Sequence, residues 1–379
     1  MAYLAWRNVI CYDTCTFMRI GIDVQASQGR LTGLGVYTKN LAKSLLDAHQ
    51  NGFEFHLFKK EQSGDWNTFR RLYWENADLP KRAKKERIEL LHVPAFSPPR
   101  LKPCKLVATV HDLIGMIFPN QKGWPSRFYW GRWLPESLRG ADALIADSEN
   151  TKKDLLLHVR FPEKKIWVIY PSGHEGFEPL HDHSAARFIR ERFAIEEKYF
   201  IAVGTLEPRK NLLRVIEAFL NFCTRKARDS KYHLVIVGAM DFAHGEFLKE
   251  ILKKFALQSL PIVFTGYLEK EDLKLLYSYA QALLFPSLYE GFGIPVLEAM
   301  ACGAAVLTSK TSSLPEVAGD AALFVDPESV DEIERGIELL AEDQKLRTEL
   351  VAKGFERIKK FSWRETARQT LKVYESLDG

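Results

Sequence analysis

The chain has 379 residues, 46% hydrophobic and 27% charged, which suits an ordinary globular protein of two to three domains of about 150 residues each and excludes a stapled miniprotein or a disordered chain. Five cysteines, an odd number without metal-ligand spacing, argue against a secreted disulfide framework and for a reducing compartment, so cytoplasm is the expected location. The net charge of +4 divides unevenly: residues 1–180 hold 26 Lys and Arg against 19 Asp and Glu, and residues 181–379 hold 27 against 30. The first half is therefore the one suited to an anionic surface, although the excess is too diffuse for a nucleic-acid binder.

Taken in chain order, residues 1–17 are interrupted by Arg7, Asn8 and Asp13, and such a segment makes neither a membrane anchor nor a good signal peptide. They are expected to be an extension outside the core, with the first strand starting in MRIGIDV at Met18. Short apolar runs then recur at 20–23, 53–58, 90–93, 106–110, 143–146 and 166–169, and again at 200–203, 234–237, 262–265, 282–285, 305–308 and 322–325. Most do not alternate, as expected for strands buried on both faces of a parallel sheet. Between them lie helical patterns such as Leu212, Val215, Ile216 and Phe219. Repeated strand, helix, strand units predict an α/β protein with two Rossmann-like doubly wound domains, residues 18–180 and 198–360, joined by a polar linker at 181–197. In such sheets ligands bind beyond the carboxyl ends of the strands, which predicts a site in the cleft between the domains.

Several motifs fall at predicted strand ends. TGLGVYTKNL, residues 32–41, follows the first strand with Gly33 and Gly35 at the start of a helix; by itself this reads equally well as a plain turn. ATVHDL, residues 108–113, places His111 and Asp112 directly after a buried strand. SENTKKDL, residues 148–155, reads as a helix capped by Ser148, with no chemistry assigned to it. GTLEPRKNL, residues 204–212, runs from Gly204 to a helix start carrying Arg209 and Lys210. Cations are disfavoured at that end of a helix unless an anion is present, so the pair is suited to a diphosphate.

The strongest signal is LLFPSLYEGFGIPVLEAMACG, residues 283–303. A strand ends at Phe285 and a helix begins near Pro295, so the amides of Phe292, Gly293 and Ile294 can bind an anion. Glu290 and Glu298 flank this site. Carboxylates repel phosphate, so two of them beside an anion site imply hydroxyl groups on either side of it, which describes a nucleotide-sugar.

The Glu-x7-Glu arrangement and its EGFG-P-LEAMA surroundings resemble retaining glycosyltransferases of the GT-B fold, family 4 (glycosyl transferases group 1), over nearly all of residues 18–379. The resemblance implies that residues 18–180 bind the acceptor and 198–360 the donor, with FSWRETARQTLKVYESL, in 361–379, as a helix returning to the first domain. It implies Glu290, His111, Arg209 and Lys210 as catalytic residues. The pair Arg209 and Lys210 would meet the donor diphosphate and stabilise the leaving nucleotide, and His111 would hydrogen-bond the donor sugar. Gly33, Gly35, Gly204, Phe292, Gly293 and Ile294 would approach the donor, Glu298 would hold its ribose, and Leu268 would help position the base through backbone groups. Thr205 stands where many relatives carry another arginine, which puts more weight on Lys210.

No two aspartates lie two positions apart, so the Asp-x-Asp metal clamp of the other major glycosyltransferase fold is missing. No cofactor and no metal are expected; the cations would stabilise the leaving diphosphate instead. TLEPRKN resembles bacterial mannosyltransferases that use GDP-mannose in cell-surface polysaccharide and lipopolysaccharide synthesis, with a glycan or lipid-linked oligosaccharide as acceptor. A UDP-sugar-dependent transferase of the same family and a non-catalytic nucleotide-sugar binding protein are the alternatives. A nicotinamide dehydrogenase fits less well, since Gly33-Leu34-Gly35 lacks the third glycine at position 38, which is Thr. WPSRFYWGRW, residues 124–133, and KRAKKER, residues 81–87, suit either a peripheral contact with anionic lipid on the inner face of the plasma membrane or ordinary packed and solvated helices.

Overall fold

The computed structural model describes residues 17–28, 33–48, 52–60, 68–95, 97–118, 124–181, 185–195, 198–205, 207–225, 232–238 and 261–378. The expected extension over residues 1–17 lies outside this set except for Phe17.

All twelve expected strands form. The first six are β1 (Met18–Asp23), β2 (Phe53–Phe58), β3 (Leu90–Val93), β4 (Lys105–Val110), β5 (Ala143–Ala146) and β6 (Ile166–Val168), in a sheet of order β2-β1-β3-β4-β5-β6. The second six are β7 (Lys198–Val203), β8 (Tyr232–Val237), β9 (Ile262–Gly266), β10 (Ala282–Phe285), β11 (Ala305–Ser309) and β12 (Leu323–Val325), in order β12-β11-β10-β7-β8-β9. Pairs such as β1 with β2 and β7 with β8 are parallel. Central strands such as β3 and β5 are buried along their whole length, whereas the edge strand β2 is mostly part-exposed, so FEFHLF can alternate polar and apolar residues while LLHV and ALIA are nearly all apolar.

The second sheet shows why its strands read as continuous apolar runs. Along β7, Phe200 and Ala202 join one buried cluster, with Val215, Ile216 and Phe219, while Tyr199 and Ile201 join another, with Val296 and Leu297. Successive residues point to opposite faces of a strand, and helices cover both faces here. Each such fully buried large side chain contributes about 1.5–3 kcal/mol relative to exposure.

The helices that matter for the site are α1 (Gly33–Asp47), α2 (Leu79–Lys85), α3 (Glu149–Asp154), α4 (Ala185–Phe193), α5 (Leu212–Arg225), α6 (Lys270–Tyr279), α7 (Ile294–Ala301) and α8 (Trp363–Glu375). In α5 the expected stripe of Leu212, Val215, Ile216 and Phe219 is buried. Helix α4 occupies the stretch read as a polar linker: Ile189 and Phe193, one turn apart, are buried in the core against β7 and α6 residues. Two apolar residues at i and i+4 suffice to anchor one face of a short helix, and the surrounding polar residues hide that signal in the sequence.

By contacts the chain divides into two compact units, one made of residues 1–109, 134–144 and 367–379 and the other of 110–133 and 145–366. In the first, the end of α8 is locked by a buried network in which His92 Nδ1 lies 2.6 Å from the Tyr374 hydroxyl and His92 Nε2 lies 2.9 Å from Thr109 Oγ1. Among the described residues no helix is long and apolar enough to cross a membrane.

Candidate active site

In the second sheet the strand order reverses between β7 and β10, which are neighbours paired at Ile201 and Leu283. Loops diverge from the carboxyl ends of strands at such a point and leave a crevice for a ligand. The loop after β7 carries Gly204 and a turn of 3-10 helix, Pro208–Lys210; the loop after β10 carries Glu290. A backbone bond from Leu288 N to Arg209 O, 2.7 Å, ties the two loops together.

At their meeting point Glu290 bridges both cations. Its Oε1 is 2.8 Å from Lys210 Nζ and its Oε2 is 3.1 Å from Arg209 Nη1, and all three side chains are at most 14% exposed. Arg209 also pairs with Glu207 at 2.7 Å, and Thr205 donates to the same Glu207 carboxylate at 3.0 Å. Lys210 Nζ lies 5.0 Å from the centre of the Phe285 ring. Its aliphatic stem crosses Gly204, where an added Cβ would lie 3.3 Å from Lys210 Cδ at a backbone φ of +149°, so glycine suits that position both for space and for conformation.

The backbone of Glu290 is held from the end of β11. Ser312 Oγ accepts from Glu290 N at 2.8 Å and donates to Glu290 O at 2.6 Å, while Ser313 Oγ lies 2.9 Å from Glu290 O and 2.8 Å from Phe292 O. Sequence reasoning missed these serines; the only available signal was a Ser-Ser pair shortly after a buried strand.

Helix α7 begins as expected, with Gly293 at φ +109° and Pro295 in the first turn. The Phe292 ring packs into an aromatic cluster with Tyr170 and Phe361; Phe292 and Gly293 are buried and Ile294 is part-buried. Glu298 lies one turn into α7 and accepts from the Tyr277 hydroxyl at 3.2 Å. Burial pushes its carboxyl up to about 7, partly offset by the Tyr277 hydroxyl and by Lys270. The two glutamates are thus differently engaged, Glu290 by cations and Glu298 by a phenol. Leu268, between β9 and α6, is half-buried against the same core.

His111 stands at the carboxyl end of β4, and its Nδ1 lies 2.6 Å from Oδ2 of Asp147, a buried residue at the end of β5. Its main-chain carbonyl abuts Gly291: a Cβ there would lie 2.0 Å from His111 O and 2.9 Å from Asp112 Cβ. His111 is therefore brought next to the residue that follows Glu290. The Asp112 carboxyl is pushed up by burial, opposed by the Ile114 amide and by the charges of His111 and Arg209. Ser148 caps α3 as expected, accepting from Thr151 N at 3.0 Å, and also donates to Gly291 O at 2.7 Å.

One unit of the fold thus brings together His111, Arg209, Lys210, Glu290 and the start of α7. Gly33 and Gly35 belong to the other unit, at the first turn of α1, with Gly33 exposed and Gly35 buried. Of the aromatic-basic stretch, Trp130 packs over Gly115 and edge-on to Tyr129, while Arg127 and Arg132 are exposed. Among the described residues no group of three or more His, Cys, Asp or Glu could hold a metal ion.

Comparison with known proteins shows the family and the fold. Residues 31–172 match the family described as Glycosyltransferase Family 4, and residues 186–357 match Glycosyl transferases group 1. The chain is 31% identical over 291 residues to O-antigen chain mannosyltransferase B of Escherichia coli, covering 76% of this chain and 74% of that protein. It is also 31% identical over 280 residues to the serotype-specific mannosyltransferase WbdA of Escherichia coli, covering 73% of this chain and 34% of that longer one. Among solved structures, sucrose-phosphate synthase from Thermosynechococcus elongatus superposes with a TM-score of 0.73 at 19% identity, covering 95% of this chain and 99% of that one.

Proposed function

Because the chain belongs to the family 4 glycosyltransferases, glycosyl transferases group 1, with the GT-B fold, we propose that it moves mannose from GDP-mannose to a glycan or lipid-linked acceptor. The setting would be the synthesis of a cell-surface polysaccharide such as the O-antigen part of lipopolysaccharide. The sugar is proposed from the mannosyltransferases to which the chain is 31% identical. The observation that carries the chemistry is the bridge from Glu290 to Arg209 and Lys210 at the reversal of strand order.

In this reading the donor diphosphate takes over the two cations, and the amides of Phe292, Gly293 and Ile294 at the start of α7 add donors to the same anion. Glu290, released from the cations, accepts hydrogen bonds from hexose hydroxyls, with His111 beside it. Glu298 holds the ribose, Leu268 reads the base through its backbone, and Gly204 leaves room for Lys210. The acceptor hydroxyl attacks the anomeric carbon on the face from which the diphosphate departs. Its proton passes to the leaving phosphate oxygen, the new C–O bond replaces the old one, and configuration is retained. Negative charge grows on the leaving group, where Arg209 and Lys210 stabilise it without a metal. We assign residues 18–180 to the acceptor and 198–360 to the donor, and place the enzyme in the cytoplasm, in peripheral contact with anionic membrane through exposed basic residues such as Arg127.

The test is a panel of GDP- and UDP-sugars assayed for hydrolysis and thermal stabilisation, with the anomeric configuration of any product read by NMR. Selective use of GDP-mannose with retention is expected. Preference for a UDP-sugar would replace the donor assignment, and binding without turnover would make the chain a nucleotide-sugar binding protein.

A further inference from the structure

The segment from the end of β5 into the first turn of α3 has no part in the function proposed above, yet three of its side chains, those of Asp147, Ser148 and Thr151, address that site. Asp147 is 4% exposed and presents Oδ2 to His111 Nδ1 at 2.6 Å. Its other oxygen, Oδ1, is buried and has no hydrogen-bond partner among the described residues, so the imidazole is the group that compensates a buried carboxylate. A carboxylate can only accept, so the Asp147 contact requires the proton on Nδ1 and presents Nε2 on the opposite side of the ring. Ser148 donates to Gly291 O at 2.7 Å, and Thr151 Oγ1 lies 3.3 Å from Gly291 O and 3.2 Å from His111 O. Both hydroxyls are fully buried, at 0% exposure, so these bonds persist without competition from water.

We propose that Asp147, Ser148 and Thr151 are positioning residues for the transfer reaction: Asp147 selects the tautomer and orientation of His111, and the two hydroxyls set the backbone at Gly291 so that Glu290 and His111 address one donor. The reason for all three to lie on one short segment is topological. Strands β4 and β5 are neighbours, so the carboxyl end of one carries His111 and the carboxyl end of the other carries Asp147. The turn into α3 then places Ser148 and Thr151 on the loop that holds Glu290. The inference rests on the assignment of His111 and Glu290 to the donor site, and it adds residues that neither touch the donor nor carry its charge.

The first measurement needs no substrate: 15N NMR of histidine-labelled protein, with the His111 signals identified by their loss in His111→Ala. A ring protonated on Nδ1 is expected, and a neutral ring protonated only on Nε2 would overturn the role of Asp147. The second is steady-state kinetics with the donor that the panel identifies. Asp147→Asn and the double variant Ser148→Ala, Thr151→Val are each expected to lower kcat by about tenfold or more with donor KM changed by less than about threefold. The exposed Lys153→Ala on the same helix should match the unsubstituted enzyme. Wild-type kcat in both inner variants, each shown to be folded by circular dichroism, would refute the proposal. If no nucleotide-sugar is turned over by the unsubstituted protein, the proposed function fails instead, and the tautomer measurement still decides the Asp147 pairing.

Discussion

Glu290 lies 2.8 Å from the ammonium of Lys210, although eighty positions separate the two residues in the chain. In the proposed function the carboxylate stands in for the donor diphosphate, so that donor binding would be coupled to release of Glu290 from the basic pair. Glu290→Ala is expected to abolish measurable transfer while the protein still folds, because the hexose loses its anchoring carboxylate. Turnover at saturating donor measures this directly, and near-native kcat would remove Glu290 from the site.

Lys210→Ala should reduce kcat by at least about tenfold, or about 1.4 kcal/mol of transition-state stabilisation. The diphosphate is already anionic when bound and gains a further negative charge as the glycosidic bond breaks, so part of the loss falls on donor binding and part on kcat. Single-turnover kinetics separate the two; an unchanged rate would move the leaving-group role to Arg209 or to the amides of α7.

Gly291→Ala should destabilise the protein by about 1–3 kcal/mol through overpacking, since its Cβ would lie 2.0 Å from the His111 carbonyl oxygen. Activity should fall as well, because relief requires Glu290 and His111 to move apart. Urea denaturation and a kinetic assay of the same sample check both effects. Retention of full stability would mean that the loop has room that its packing does not show.

The Glu298 carboxyl, pushed up to about 7 by burial, predicts two pH effects. Hydroxyl groups are better held by the ionised form, so donor KM should rise as pH falls below about 7, and Glu298→Gln should flatten that profile. The effect on stability has the opposite sign. The folded carboxyl binds its proton more tightly than an unfolded one near 4.5, so its contribution is full at low pH and is lost as pH rises through about 7. Thermal melts of the two proteins between about pH 4.5 and 8 should therefore diverge, with the unsubstituted protein losing more stability on the alkaline side.

Activity in excess EDTA should equal activity in magnesium if, as proposed, Arg209, Lys210 and backbone amides supply the positive potential that a metal would otherwise provide. Complete loss of activity, restored by a divalent ion, would show that these groups are insufficient.

Much of this was legible in one dimension. Apolar runs of four to six residues identified all twelve strands, because a strand covered on both faces has no reason to alternate. Arg209, Lys210, Glu290 and the start of α7 were legible as charged residues and a helix start beside strand ends, and the structure brings the three side chains into contact. The helix Ala185–Phe193 escaped notice, since only Ile189 and Phe193 reach the core and the residues around them are polar. What only the tertiary structure decided is which distant residues share a partner. That Glu290 neutralises two cations, that Ser312 and Ser313 hold its backbone, and that Asp147 faces His111 across adjacent strand ends all depend on the lateral order of strands. Hydrophobic periodicity specifies that a strand is buried but leaves its neighbours to the packing of the whole sheet, and so these pairings have no signature along the chain.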